Sequence, residues 1–196
     1  MKVKRIVNSV FNSNTFIVYE NRKAIIMDIG DFNPVIRFIR EKGLNVERLF
    51  ITHTHYDHIY GIKKFMSQFP DVPIYTSSFG KKAFNKSNWN FSRYHEDVIE
   101  IESDRILSLF DGDELSVLGK YQLQVIATPG HDKSSLSYRV GNLLFTGDSY
   151  IPEVKVIASF PNSNREDAQY WYGRLKEMSR EYIICPGHGD ILEENI

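Results

Sequence analysis

The period of hydrophobic positions changes several times along the chain, and each change marks an element. The first thirty residues concentrate branched and aromatic side chains in "TFIVYE" (15–20) and "KAIIMDIG" (23–30), with the turn-like "NRK" between them. This pattern predicts two strands joined as a hairpin. In "NPVIRFIREKG" (33–43), Ile36, Ile39 and Arg40 take helical spacing. Asn33 reads as the N-cap, Pro34 as the first helical position and Gly43 as the residue just past the end. "RLFIT" (48–52) is a short apolar strand. In "HIYGIKKFMSQFP" (58–70), Ile59, Ile62, Phe65, Met66 and Phe69 fall on one helical face, which Pro70 stops. "VPIYTSS" (72–78) follows as a strand.

Residues 81–103 are mixed, aromatic and polar, without a clean period, and read as loops with a short helix. Strand patterning returns from Leu107 in "ILSLFDGDELSVLG", "YQLQVIATPG" and "SSLSYRVGNLLFTGDS", where "DGD" (Asp111 to Asp113) reads as a hairpin turn and "VGN" as a turn. "SNREDAQYWYGRLKEM" (163–178) is an amphipathic helix, with Ser163 and Glu166 as a capping box and Ala168, Trp171, Leu175 and Met178 along one side. "EYIICPGHG" closes with a buried strand in which Cys185 serves as apolar filler. Strands then helices, followed by strands and another helix, are satisfied by two sheets packed face to face with helices outside, in one domain over residues 1–196.

Composition narrows the function classes. The 196 residues suit one domain, and 42% hydrophobic with 25% charged residues is ordinary for a globular protein. A net charge of -1 argues against a grip on phosphate backbones, so nucleic acid is excluded as the first partner. The N-terminus alternates apolar and polar positions and lacks the apolar run of a signal peptide, and no segment approaches a membrane span. One cysteine, Cys185, rules out an internal disulfide and fits a reducing compartment. These features predict a cytoplasmic protein with neither nucleic acid nor membrane as partner. Oligomeric state is left open.

The candidate chemistry lies in "ITHTHYDHIYG" (51–61), which holds three of the six histidines. His53 and His55 are two apart at the end of an extended run, so their imidazoles share a side and can hold one metal. Asp57 and His58 follow where the chain enters a helix, and that turn aims them elsewhere, which suits a neighbouring second ion. His131 in "TPGHDKSS", Asp148 in "FTGDS" and His188 in "PGHG" each come directly after a predicted strand and beside glycine. Loops at strand ends can bring such distant residues together. Neutral imidazoles with carboxylates suit zinc first, and accept iron(II) or manganese.

The segment "THTHYDH" resembles the HxHxDH signature of the metallo-β-lactamase superfamily, and "TPGH", "TGD" and "PGHG" are similar to its later motifs in the same order. The resemblance covers nearly the whole chain. It implies an α+β fold, a four-layer αββα sandwich with two divalent metal ions at one edge of the sheets. It also implies that His53, His55 and His131 hold the first ion, that Asp57, His58 and His188 hold the second, and that Asp148 bridges them. Asp28 in "IIMDIG" resembles an aspartate that orients a ligand loop from behind, and reads equally as a turn former. Two positions depart from the pattern: Asp132 replaces a small neutral residue and Ser134 a glycine.

The implied enzyme is a dinuclear metallohydrolase, similar to glyoxalase II-like thioesterases or lactonases. A metal-bridging hydroxide would attack a small ester, thioester or lactone, with Asp57 as the catalytic proton carrier. Two other classes share the motif: an oxidoreductase resembling mononuclear-iron persulfide dioxygenases, and a non-catalytic binding module. His95 reads as a solvated loop residue. Trp89, Phe91 and Tyr94 read as channel lining or as packing under a loop. Tyr150 and Lys155 read as surface loop or as groups that reach the substrate.

Overall fold

"TFIVY" and "KAIIM" are apolar at nearly every position because both faces of these strands are covered, as happens in the inner layers of a sandwich. In the computed structural model, which describes residues 1–192, Phe16, Val18, Ile25 and Met27 face a second sheet, while Ile17, Ala24 and Ile26 face helices. The first half of the chain contains β1 (Lys2–Val7), β2 (Asn14–Glu20), β3 (Lys23–Met27), α1 (Phe32–Lys42), β4 (Asn45–Phe50), α2 (Tyr56–Ile59), α3 (Ile62–Gln68), β5 (Ile74–Ser77) and α4 (Ser78–Ala83). The second contains β6 (Ile106–Leu109), β7 (Glu114–Val117), β8 (Tyr121–Ala127), β9 (Leu136–Val140), β10 (Leu143–Gly147), α5 (Arg165–Met178) and β11 (Ile183–Pro186).

The first sheet has the order β1-β2-β3-β4-β5-β6, antiparallel across β1, β2 and β3 and parallel from β3 to β6. The second has the order β11-β10-β9-β8-β7, antiparallel except for the parallel pair β10 and β11. Three buried clusters fill the three interlayer spaces. The first sheet meets α1 and α3 through Ile17, Ile26, Val35, Ile39, Ile62 and Phe65. The sheets meet each other through Phe16, Met27, Phe50, Leu123, Tyr138 and Phe145. The second sheet meets α5 through Leu144, Leu175 and Ile184. Four layers in the order αββα follow, as the resemblance implies. Cys185 lies in the cluster between the sheets.

Local chemistry differs from expectation in three places. Helix α1 begins after Asp31, not Asn33, and Pro34 lies in its first turn; Gly43 ends it in the left-handed conformation at φ 59°. The Asp31 carboxylate is occupied by the Ser9 N–H at 2.7 Å and the Ser9 hydroxyl at 3.0 Å, so it does not cap the helix. Helix α5 is capped by Asn164, whose side chain accepts from the backbones of Glu166 and Asp167. Ser163 instead donates to the His131 carbonyl at 2.6 Å. "DGD" is a turn but not a hairpin: β6 belongs to the first sheet and β7 to the second. Asp111 and Asp113 satisfy the Ala127 and Phe110 N–H groups at this crossover.

Candidate metal centre

Five strands end at one edge of the sandwich and hand over to loops that carry polar side chains inwards. Asp28 follows β3, residues 51–58 follow β4, His131 follows β8, Asp148 follows β10, and His188 follows β11. The first sheet's loop is tied to the second sheet. The buried Tyr138 hydroxyl donates to the Ile51 carbonyl at 2.8 Å, and the Leu136 N–H donates to Thr52 at 2.8 Å. Both sets of ligands are thereby held in one frame.

The expected side chains come together. Ligand atoms of His53, His55 and His131 lie within 4.8 Å of one another, as do those of Asp57, His58 and His188. A third such group, His53, His58 and Asp148, joins the two. Asp148 reaches both sides, with Oδ2 3.5 Å from His131 Nε2 and Oδ1 3.4 Å from His58 Nε2. Asp57 Oδ2 lies 3.3 Å from His58 Nε2 and 3.2 Å from His188 Nε2. Among the described residues, His53 Nε2, His58 Nε2 and Asp148 Oδ1 are buried without a hydrogen-bond partner. Orphaned buried acceptors are costly unless something else satisfies them. Imidazole nitrogens and carboxylate oxygens converging at this spacing suit divalent cations.

The outer nitrogens are engaged. His58 Nδ1 meets Asp28 Oδ2 at 2.9 Å, His53 Nδ1 meets Thr52 Oγ1 at 3.2 Å, His131 Nδ1 meets the Ile157 carbonyl at 2.8 Å, and His188 Nδ1 meets the Phe11 carbonyl at 3.1 Å. Each acceptor fixes the proton on Nδ1 and turns Nε2 towards the centre. Asp28 supports two histidines, because its carboxylate also accepts from the Thr52 N–H at 2.7 Å and the Thr52 hydroxyl at 2.8 Å. It adopts φ 59°, uncommon for a non-glycine residue. The turn-former and orienting readings of Asp28 are therefore both satisfied by one residue.

Electrostatics divide the centre into halves. Burial, reinforced by His58, holds His53 far below the ordinary imidazole range, and burial also lowers His131. Both imidazoles are therefore neutral near pH 7, which leaves each Nε2 a lone pair to offer an ion. Burial opposes charge on His58 and His188, yet nearby Asp57 and Asp148 outweigh it: His58 is raised well above its usual value and His188 to about 9. Burial likewise opposes ionisation of Asp57 and Asp148, but His58 above all holds both below the usual carboxylate range. Burial raises Asp28, with His58 partly offsetting it. The Asp57 side thus binds protons tightly, and an ion must displace them.

Aromatic side chains rim the opening. His55, Phe91 and Phe160 form a triangle of rings, with His55 4.8 Å from Phe91 and 5.2 Å from Phe160, and the two phenyl rings 5.2 Å apart. Phe91 sits at φ 61°, a conformation costing a non-glycine residue about 1–2 kcal/mol. His95 is not merely solvated: it stacks on Tyr56 at 3.7 Å and meets the exposed Phe11 at 6.5 Å. Trp89 stacks on Phe79, Tyr94 is exposed, and Tyr150 is buried beside Tyr172. Lys155 lies beside His131 and Asp148. Phe11 and Phe160 carry no local sequence signal that marks them.

Known proteins share this sequence pattern and fold. A probable metallo-hydrolase of Streptococcus pyogenes is 26% identical over 195 residues, covering 96% of this chain and 84% of that protein. A hydroxyacylglutathione hydrolase of Citrobacter koseri is 30% identical over 189 residues, which is 93% of this chain but only 65% of that enzyme. A solved protein, TTHA1623 in a di-iron-bound form, shares the fold with a TM-score of 0.82 at 19% identity, over 96% of this chain and 93% of its own. The family model of the metallo-beta-lactamase superfamily matches residues 8–188, a span running through every ligand-bearing loop, and the chain belongs to that superfamily.

Proposed function

We propose that the protein is a dinuclear metallohydrolase acting on a small ester, thioester or lactone. The observation that carries this reading is the buried, orphaned set of donors on both sides of Asp148, which suits two divalent ions rather than one. When bound, the ions supply Lewis acidity and bring the pKa of a water from 15.7 towards about 7. His53, His55 and His131 would hold one, Asp57, His58 and His188 the other, and Asp148 both. Zinc is the first candidate, with iron or manganese as alternatives, iron being supported by the di-iron form of TTHA1623.

The chain's own residues do the remaining work. Asp57 orients the attacking water and carries its proton to the leaving group. The Phe91 and Phe160 rings cover His55 and keep bulk water off that side. The relatives named hydroxyacylglutathione hydrolases support a thioester among the substrates, although this chain spans 57 to 65% of their length. Retention of Asp57, Asp148 and His188 in one cluster favours hydrolysis over a one-iron oxidoreductase or a binding module. Elemental analysis of purified protein, followed by a panel of thioesters, lactones and esters, tests the proposal. Two ions per chain and turnover of at least one carbonyl substrate are expected. One ion per chain, or two ions with no hydrolysis of any class, would refute it.

A further inference from the structure

We propose that Asp132 is a positioning residue for His55, and that it and Ser134, the two departures from the family pattern, act together as one device. The inference rests on the two-ion reading of the site.

His55 is reversed relative to the other ligands. Its Nδ1 faces inwards, 3.0 Å from His131 Nε2, whereas His53, His58, His131 and His188 all have Nδ1 engaged outside. The outer nitrogen of His55 is therefore Nε2. It is buried without a hydrogen-bond partner, and the Asp132 Oδ2 atom 3.5 Å away is buried and unpartnered too. That distance lies just beyond a normal N–H···O bond. Two orphaned atoms face each other, an imidazole nitrogen and a carboxylate oxygen, and they become complementary once an ion takes Nδ1 and the His55 proton sits on Nε2. Phe91 and Phe160 pack against the same ring.

The carboxylate is held from behind. Asp132 is fully buried, and its Oδ1 accepts from both the N–H and the hydroxyl of Ser134. The Ser134 hydroxyl in turn accepts from the Thr54 N–H at 3.0 Å, and Thr54 is the residue between His53 and His55. Glycine at 134 would offer no hydroxyl, and a small neutral residue at 132 would offer no charge. Together they place a fixed anion behind His55, which keeps its proton on Nε2 and makes Nδ1 a stronger donor to the first ion. Partners of this kind typically affect metal affinity 10- to 100-fold.

Asp132→Asn separates this role from turn formation. Its amide oxygen still accepts from Ser134, but its NH2 meets the Nε2–H of His55, donor against donor. Chelator competition on the variant is expected to show about a 10- to 100-fold loss of affinity for one of the two ions, with the other little changed. The cobalt(II)-loaded absorption spectrum is expected to shift, and the melting temperature of the metal-stripped protein to stay close to wild type. Ser134→Ala is expected to weaken the same ion by a smaller factor. An independent reading uses wild-type protein loaded with zinc and labelled with 15N-histidine: among the five ligand histidines, His55 alone should carry its proton on Nε2. Wild-type affinities and cobalt spectrum in Asp132→Asn, or a zinc-loaded His55 protonated on Nδ1, would overturn the proposal. So would a fall in melting temperature without loss of affinity. Wild-type protein that takes up no ion at all would instead bring down the two-ion reading, and this proposal with it.

Discussion

Gly187→Ala isolates the steric basis of the centre. Gly187 is not among the residues with positive φ, so alanine there carries no conformational penalty. The added Cβ would lie 2.0 Å from Asp148 Oδ1, 2.9 Å from the Gly147 carbonyl carbon and 3.0 Å from His58 Cε1. Ordinary contact begins at 3.4 Å, so the shortest gap is deficient by 1.4 Å. Backbone at 187 has little room to retreat, because its N–H donates to Gly147 at 2.8 Å and its carbonyl accepts from Asn14 at 2.7 Å. The Asp148 carboxylate is the softer partner and gives way. Metal ligands tolerate displacements of roughly 0.2 Å, far less than this. The variant should fold with a loss of about 1–3 kcal/mol while losing the bridge, weakening the ions by at least about 100-fold. At a free metal concentration of about 100 times Kd, each ion stabilises wild type by about 2.7 kcal/mol. That is roughly 5–10 °C in Tm for a chain of this size. After a 100-fold weakening the same concentration gives only about 0.4 kcal/mol per ion. Calorimetry of stripped and loaded protein makes the comparison. A loaded variant that melts as far above its stripped form as wild type does would refute the steric reasoning.

Three further outcomes follow from the site. His188 is raised from its unfolded value near 6.5 to about 9, so in metal-free protein its contribution to stability is complete below pH 6.5. It is lost as pH rises through 9, and a metal-free Tm that climbs over this window would contradict it. Apparent metal affinity should rise over the same range as that proton leaves, which isothermal titration in buffers of different ionisation enthalpy can check. Asp57→Asn should cut turnover severely and weaken one ion; a full rate with an unchanged pH profile would leave Asp57 no catalytic part. Phe160→Ala removes a ring from the His55 wall, and a loss of about 1–2 kcal/mol predicts that kcat/KM falls 5- to 30-fold for thioesters with bulky apolar acyl groups. An equal fall for acetyl thioesters would argue against that contact.

Much of the centre could be read from the chain because ligation leaves compact local marks. Histidines and aspartates at strand ends, beside glycines that let loops approach closely, announce themselves within four or five residues. The layer order was equally legible, since strands buried on both faces show unbroken apolar runs, as in "KAIIM". What escaped was pairing at long range. "DGD" encodes a turn, but nothing in it says that the next strand joins the other sheet. Ser163 has a good capping side chain, yet the His131 carbonyl competes for it and Asn164 takes the role. Phe11, Phe160 and His95 meet the ligand loops only through loop conformations for which no periodicity exists. Asp132 stood out as a departure, but its target, His55, lies 77 positions earlier.

The union of the two sheets at the ligand edge bears on how the protein is made. The His53 to His58 loop emerges early in synthesis as a ready chelating peptide, whereas His131, Asp148 and His188 are translated 73 to 130 residues after His58. Ion capture by a nascent chain would begin with the wrong complement of donors. If these residues hold the two ions as proposed, correct loading waits until the second sheet docks, and free metal during biosynthesis becomes a variable in yield as well as in activity.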